Sequence, residues 1–399
     1  MNSKKLSFKN RFGETLEGVI DLPFTHNIVA YAIFAHCFTC GKNLFAARQI
    51  SRTLALKGIA VLRFDFTGIG ESEGTFEDTN FTTNVTDIED AAKYLEENYE
   101  APSLVIGHSL GGAAVLFSAQ NIPSIKAVVT IAAPSSPDHI MHLFRHSKDE
   151  IMQNEKATMM IAGREITIKK QFIEDVMSLS MDDLLRDLHK PILILHSPTD
   201  NIVGINNAAE IYKSANHPKS FVSLDGADHL LKIQKDSEYV STIISSWATR
   251  YLDSKKNIQS ESQVDVYLNN DKFTTEVVAR KHLWIADEPT DAGGNDLGPT
   301  PYELLSSALA TCTAITLKMY AKRKNWKTGE IKVMVEHGRK YADDCEYCDN
   351  NSKLIEVFKR TIVLDDGLDA EKKNRLHQIA DHCPVHKTLS KSSKIETTI

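Results

Sequence analysis

Short runs of consecutive apolar residues recur along the first two thirds of the chain, at 29–35, 60–64, 104–107, 127–131, 192–196 and 221–224. A strand that is apolar on both sides is covered on both sides, which is the pattern of a mainly parallel sheet between helices. Segments with apolar positions three and four apart separate most of the runs and predict helices, for example over 45–57 and 85–98. Ahead of them, 4–9 and 16–21 predict a hairpin joined by the polar turn 10–15. The alternation is interrupted between 133 and 190. Within that stretch, 158–168 predicts a small hairpin turning at Gly163, and the whole insertion reads as a cap over the site.

The pattern changes after the segment ending at Leu252. Residues 253–263 are polar and rich in lysine and serine, a linker in composition. A second domain then begins with strands at 264–268 and 274–279 and a glycine-rich loop at 293–299. A long helix over 301–324, strands at 331–336 and 355–364 and a helix over 370–382 follow. In the long helix Leu305, Ala308, Leu309, Cys312, Ile315, Thr316 and Met319 keep the helical period, which places Cys312 on the buried face. The expected organisation is an α/β domain over 1–252, a linker, and an α+β domain over 264–399.

A length of 399 residues is long for one core and agrees with two domains. The net charge of -7 provides no attraction for nucleic acid or an anionic membrane, so neither is expected as a partner. Met1–Ser7 carries two lysines but no apolar stretch behind them, so no signal peptide is expected, and no segment reads as long and apolar enough to span a bilayer. Six cysteines in a chain of this length do not suggest a disulfide framework. Free thiols in a reducing cytoplasm are the expectation.

The chemistry centres on Gly107-His108-Ser109-Leu110-Gly111, which follows an apolar run and precedes a segment of small residues. This is a strand, a sharp turn with serine at its tip, and a helix, a context that exposes a nucleophilic hydroxyl near a helix N-terminus. Such a serine needs a base and an acid to orient the base. Asp200 lies just past the run 192–196 and His229 past the run 221–224, in the order Ser, Asp, His. His108 packs beside the site rather than reacting. The amide of Leu110 supplies one of the two N–H groups of an oxyanion hole, and the loop His36-Cys37-Phe38-Thr39-Cys40 should supply the other.

That loop, with the turn Asp65-Phe66-Thr67-Gly68-Ile69-Gly70-Glu71-Ser72, resembles the α/β-hydrolase superfamily, in particular its esterases with a His-Gly-Phe-Thr loop. The resemblance covers residues 1 to about 252 and implies that Phe38 is the second oxyanion donor. Cys37 stands where the family usually has glycine, and its side chain narrows the acyl pocket. Cys37 and Cys40 also spell Cys-x-x-Cys between a strand and a helix, the setting of a redox pair. The hydrolase order explains the same loop without redox chemistry, so they read as loop residues.

In the second domain the segments 298–305, 310–314 and His382-Cys383-Pro384-Val385-His386 resemble the OsmC and organic hydroperoxide resistance family. The resemblance implies that Cys312 attacks peroxide, that Cys383 resolves the intermediate, that Glu303 at the helix start partners an arginine, and that the chain forms a homodimer. Arg280 is the nearest candidate arginine by position, with an exposed strand-end residue as the ordinary alternative. Cys345-x-x-Cys348 beside His337 lacks a second pair with metal spacing, and no metal is expected. No cofactor is expected beyond a dithiol reductant for a peroxidase cycle. The resulting expectation is a serine esterase acting on a small ester or thioester, fused to a thiol domain that consumes organic hydroperoxides. The alternatives are a protein whose main task is thiol peroxidation, and a hydrolase whose second domain only dimerises.

Overall fold

A computed structural model describes residues 2–25, 28–161, 164–252, 259–341, 354–365 and 367–398. The chain divides into two compact units, Met1–Asn270 with Thr275–Leu283, and Asp271–Thr274 with Trp284–Ile399. Most of the linker expected at 253–263 lies outside the described residues.

The first unit opens with β1 (Asn2–Lys9) and β2 (Thr15–Leu22), an antiparallel pair in which Leu6 faces Gly18. Then follow β3 (Ala30–Ala35), α1 (Phe45–Leu56), β4 (Ile59–Phe64), α2 (Phe81–Asn98), β5 (Leu104–His108), α3 (Leu110–Asn121) and β6 (Ala127–Ile131). The inserted segment holds a 3-10 helix at Pro137–Ser147, α4 (Lys148–Asn154), β7 (Lys156–Ile161), β8 (Arg164–Lys169), α5 (Lys170–Ser178) and α6 (Met181–Asp187). β7 and β8 pair antiparallel, with Ile161 opposite Arg164, while the turn residues 162–163 lie outside the described residues. The unit continues with β9 (Ile192–His196), α7 (Asn206–Ser214), β10 (Lys219–Ser223), α8 (Gln234–Ala248), β11 (Asp265–Tyr267) and β12 (Thr275–Ala279).

The eight-stranded sheet has the order β1-β2-β4-β3-β5-β6-β9-β10, and every pair from β4 to β10 is parallel. β3, β4, β5, β6 and β9 are buried at every residue, because helices cover both faces. On one face Ile88 of α2 and Ala113 of α3 join a core that extends to Phe144 and Phe172 of the insertion. On the other, Ile50 and Leu54 of α1 pack with Val240 and Ile244 of α8. The chain leaves β3 in one direction and β5 in the other, so the strand order reverses between them. The carboxyl ends of β3 and β5 therefore flank a crevice, the usual ligand position of an open α/β sheet.

α2 starts four residues before the sequence pattern indicates. The Asn80 side chain accepts the Thr83 N–H at 2.8 Å and the Thr83 hydroxyl lies 3.2 Å from the Asn80 N–H, a reciprocal cap that begins the helix at Phe81.

β13 (His282–Ala286) follows, and then α9 (Pro301–Arg323), β14 (Ile331–Tyr341), β15 (Leu354–Leu364), α10 (Ala370–Ala380) and α11 (Pro384–Leu389). β14 and β15 pair antiparallel along their whole length. Leu317 and Ala321 of α9 meet Leu376 and Ile379 of α10 in a small core. Only Leu309, Thr313, Leu317 and Ala321 of α9 are buried, whereas Ala308, Ile315 and Met319 are exposed and Cys312 is half-buried. This corrects the buried face expected from the sequence. α9 is apolar on most of its circumference, so its period does not select a face; β14, α10 and α11 do. By length and composition α9 could also cross a bilayer, contrary to the expectation that no segment could.

Candidate active site

Ser109 sits between β5 and α3 with φ 55° and ψ -126°, a left-handed backbone that ordinary residues avoid. Two glycines make this turn possible. A Cβ on Gly107 would come within 2.2 Å of the Gly111 carbonyl oxygen, and one on Gly111 within 2.4 Å of the His36 carbonyl oxygen. The Ser109 N–H donates to the Ile131 carbonyl at 2.8 Å, which ties the turn to β6.

Asp200 and His229 follow β9 and β10, and the fold brings both to Ser109. His229 Nε2 lies 3.1 Å from Ser109 Oγ, and His229 Nδ1 lies 2.7 Å from Asp200 Oδ2. Asp200 Oδ1 accepts the N–H groups of Ile202 at 2.8 Å and Val203 at 2.9 Å. Burial pushes the Asp200 carboxyl up, but His229 and the two amides outweigh it and hold it below the usual carboxylate range. A carboxylate that stays charged fixes Nδ1 as the protonated nitrogen, leaving Nε2 free to take the serine proton. His196, at the end of β9, is buried and donates from Nε2 to the Val203 carbonyl at 2.7 Å, supporting the loop that carries Asp200.

Phe38 and Leu110 line the same cavity as Ser109 and His229, a space of about 750 Å³. Its other walls include Ile140 and Ile161 of the insertion, and Ile202, Val203 and Leu230. The wall is largely apolar, so it accepts a hydrocarbon group beside the serine.

The loop after β3 is held at both ends. The Phe66 N–H donates to His36 Nε2 at 3.4 Å, so His36 Nδ1 carries the proton and donates to the Cys37 carbonyl at 2.7 Å. Burial pushes His36 below the ordinary histidine range and keeps it neutral. At the other end, the Lys42 N–H and ammonium both bond Asp65, and the ammonium also reaches Glu71. Burial pushes the Lys42 ammonium down, but Asp65 and Glu71 outweigh it and hold it above the ordinary lysine range. Gly70, at φ 64°, leaves room for this carboxylate, because a Cβ there would meet Asp65 Oδ2 at 2.3 Å. The buried Lys42–Asp65 pair is invisible to a pattern reading, since an isolated lysine ordinarily marks surface.

Cys37 and Cys40 are joined as a disulfide, which corrects the expectation of free thiols and of unpaired loop residues. The Cys40 N–H donates to the Cys37 carbonyl at 3.1 Å, and this turn brings the two Cα atoms to 5.2 Å, within bridging range.

In the second unit Cys312 and Cys383 are both free thiols, close enough that each shifts the other's ionisation. Burial and the neighbouring Cys383 push the Cys312 thiol up. Cys383 caps α11; burial pushes its thiol up as well, but Cys312 and the amides of His386 and Val385 outweigh it and hold it below the usual thiol range. Glu303 bonds the Thr300 N–H at 2.8 Å while its own N–H donates to Thr300 Oγ1 at 3.2 Å, so in one chain its partner is a helix cap rather than an arginine.

Arg280 lies in the first unit. It is exposed at φ 55° in a turn, with its N–H on Ser260 Oγ at 2.7 Å. Arg360 is the arginine that bonds the surroundings of the two cysteines. It donates to Thr313 Oγ1 and the Ala380 carbonyl, both at 3.1 Å, and to Asp381 Oδ1 at 2.6 Å. The sequence signal was present but unread: on β15, Arg360 shares the inward alternation of Ile362 and Leu364. Cys345 and Cys348 lie outside the described residues, and among the described residues no cluster suits a metal ion.

Residues 41–178 match the serine aminopeptidase S33 family, and residues 293–398 match the OsmC-like protein family. The esterase domain of a Rhodothermus marinus protein is 46% identical; the match covers 63% of this chain and 99% of that one, with a TM-score of 0.53. Est1E from Butyrivibrio proteoclasticus, solved with ferulic acid bound, has the same fold at 21% identity, covering 62% of this chain and 98% of its own, with a TM-score of 0.53. The mitochondrial palmitoyl-protein thioesterase ABHD10 of Rattus norvegicus is 25% identical over 208 residues, 49% of this chain and 66% of that protein.

Proposed function

From a chain that belongs to the α/β-hydrolase family and carries an OsmC-like domain at its C-terminal end, we propose a serine esterase for carboxylic esters or thioesters with an apolar acyl group. The observation that carries this reading is the hydrogen-bonded line from Ser109 through His229 to Asp200. In this reading His229 Nε2 takes the Ser109 proton as Oγ attacks the acyl carbon. The amides of Phe38 and Leu110 hold the resulting oxyanion. The protonated His229 then gives its proton to the leaving alcohol or thiol, and water releases the acyl group by the same steps in reverse. The esterase domain of the Rhodothermus marinus protein and the thioesterase ABHD10 support an ester or thioester substrate. Ser109→Ala should lower p-nitrophenyl butyrate turnover at least about 1,000-fold with an unchanged circular dichroism spectrum. Unchanged turnover would overturn the reading.

The Cys312–Cys383 contact favours a second activity, reduction of organic hydroperoxides. A thiolate attacks the O–O bond, the alcohol leaves, and the sulfenic acid condenses with the other thiol to a disulfide and water. An external dithiol restores both thiols. The exposed Ile315 and Met319 on α9 support a homodimer that covers this face with a second copy. A second domain that only dimerises is the competing reading, and absence of dithiol-dependent peroxide consumption would favour it.

A further inference from the structure

We propose that Cys37 and Cys40 are a redox-active pair that sets the rate of the esterase: the disulfide holds the Phe38 amide for the oxyanion, and reduction by a dithiol releases it. The inference rests on the assignment of Phe38 as an oxyanion donor.

The disulfide spans Cys37-Phe38-Thr39-Cys40, so the donor lies inside the covalent ring. Both cysteines line the cavity that holds Ser109 and His229. His36 Nδ1 donates to the Cys37 carbonyl inside the ring, and the Lys42–Asp65 pair anchors the chain beyond Cys40. Within the ring, the Cys40 N–H bond to the Cys37 carbonyl closes the turn, and the disulfide is the covalent restraint added to it. The Phe38 ring packs against Phe76 and Phe172, with centroids 5.3 and 5.5 Å away. Those contacts fix the side chain. The direction of the Phe38 N–H depends on the peptide plane between Cys37 and Phe38, whose carbonyl accepts from His36 and from the Cys40 N–H and which the bridge restrains covalently as well.

The two sulfurs differ in access. Cys37 is 5% exposed, whereas Cys40 is half-buried and opens on the cavity. A dithiol thiolate entering the cavity attacks Cys40 Sγ, breaks the S–S bond and expels the Cys37 thiolate, which takes a proton. The second thiol of the reductant then attacks the mixed disulfide and frees Cys40. Two electrons pass from the reductant, which leaves as its own disulfide, and the protein gains two thiols. A two-electron oxidant such as hydrogen peroxide reverses the change: one thiolate becomes a sulfenic acid and the other displaces water from it.

The test uses the full-length wild type in graded ratios of reduced to oxidised dithiothreitol. p-Nitrophenyl butyrate kinetics are read on each sample, and N-ethylmaleimide trapping with peptide mass mapping reports each cysteine. Losing a whole oxyanion donor costs about 100- to 1,000-fold, so loosening one should lower kcat about tenfold with KM within about twofold. The fall should follow the labelling of Cys37 and Cys40, reverse on oxidation, and be reproduced by Cys40→Ser under both conditions. A kcat unchanged when both residues are fully labelled overturns the inference, as does a fall that follows Cys312 and Cys383 instead. Turnover that survives Ser109→Ala removes the esterase reading and this inference with it. Turnover that needs Ser109 but ignores reduction removes this inference alone.

Discussion

His108 Nε2 lies 2.7 Å from the backbone carbonyl oxygen of His229, so the residue beside Ser109 anchors the loop whose imidazole faces it. To donate this bond His108 carries a proton on Nε2, while its Nδ1 is buried without a partner. Burial, with His229 nearby, pushes its pKa down to about 3. An unfolded histidine takes a proton near pH 6.5, and the folded one does not until about pH 3, so acid favours the unfolded chain across that window. His36 and His196 are pushed down by burial in the same direction. Stability from urea unfolding should therefore fall as pH drops below about 6.5, by about 1.4 kcal/mol per pH unit for each proton taken up. His108→Gln keeps a donor for the His229 carbonyl and should remove about one proton from that slope. An unchanged slope would show that His108 is not one of the groups resisting protonation.

The Asp200 carboxylate is held charged by His229 and the amides of Val203 and Ile202. With its folded pKa depressed, it contributes stability above the unfolded carboxylate pKa and loses that contribution as pH falls through the folded value. Asp200→Asn keeps the shape but removes the charge that orients His229. Esterase kcat should fall about 1,000- to 10,000-fold while KM moves only a few-fold, measured by steady-state ester hydrolysis. A fall below tenfold would place the orienting acid elsewhere.

The apolar walls around Ser109 set an expectation for acyl length. Each methylene buried against Ile140, Ile161 or Val203 contributes about 0.8 kcal/mol, which corresponds to roughly fourfold in kcat/KM. A series of p-nitrophenyl esters should rise from acetyl until the cavity is full. Ile202 lines the cavity but is 52% exposed, so a larger side chain there need not disturb the core. Ile202→Trp should lower kcat/KM for octanoyl ester more than for acetyl ester. An equal loss for both would mean the acyl group lies elsewhere.

The central sheet is legible in the sequence because strands such as Leu104–His108, buried on both faces, appear as unbroken apolar runs. Ser109, Asp200 and His229 each follow such a run, so their meeting could be anticipated from strand ends alone. α11 lacks that signal, because it is short and mixes polar with apolar residues, whereas β13 carries it over 283–286. The Cys37–Cys40 bridge was not legible: a spacing of three residues permits either free thiols or a bond, and the turn geometry selects one. Lys42 is illegible for a related reason: a buried cation is defined by partners such as Asp65 that are distant in sequence, whereas Arg360 carries a local signal in its alternation with Ile362 and Leu364.

Arg360, rather than Arg280, should matter for peroxide consumption. Arg360 is only 13% exposed and bonds Thr313, the residue after Cys312, together with Ala380 and Asp381, three and two residues before Cys383. It therefore fixes both cysteine-bearing segments and brings positive charge to them. Removing an opposite charge near an ionisable thiol raises its pKa by about 1–3 units, so the thiolate fraction near neutral pH drops at least about tenfold. Arg360→Met should slow cumene hydroperoxide consumption by that factor, with dithiothreitol as reductant and residual peroxide measured by ferrous oxidation. The loss should lessen at higher pH, where the thiol ionises without help, and this recovery separates a charge effect from a collapsed site. Arg280, exposed in a turn of the first unit, should tolerate Arg280→Met within about twofold, the range expected for a screened surface charge. The opposite pattern, with Arg280→Met inactive and Arg360→Met unaffected, would return the role to Arg280.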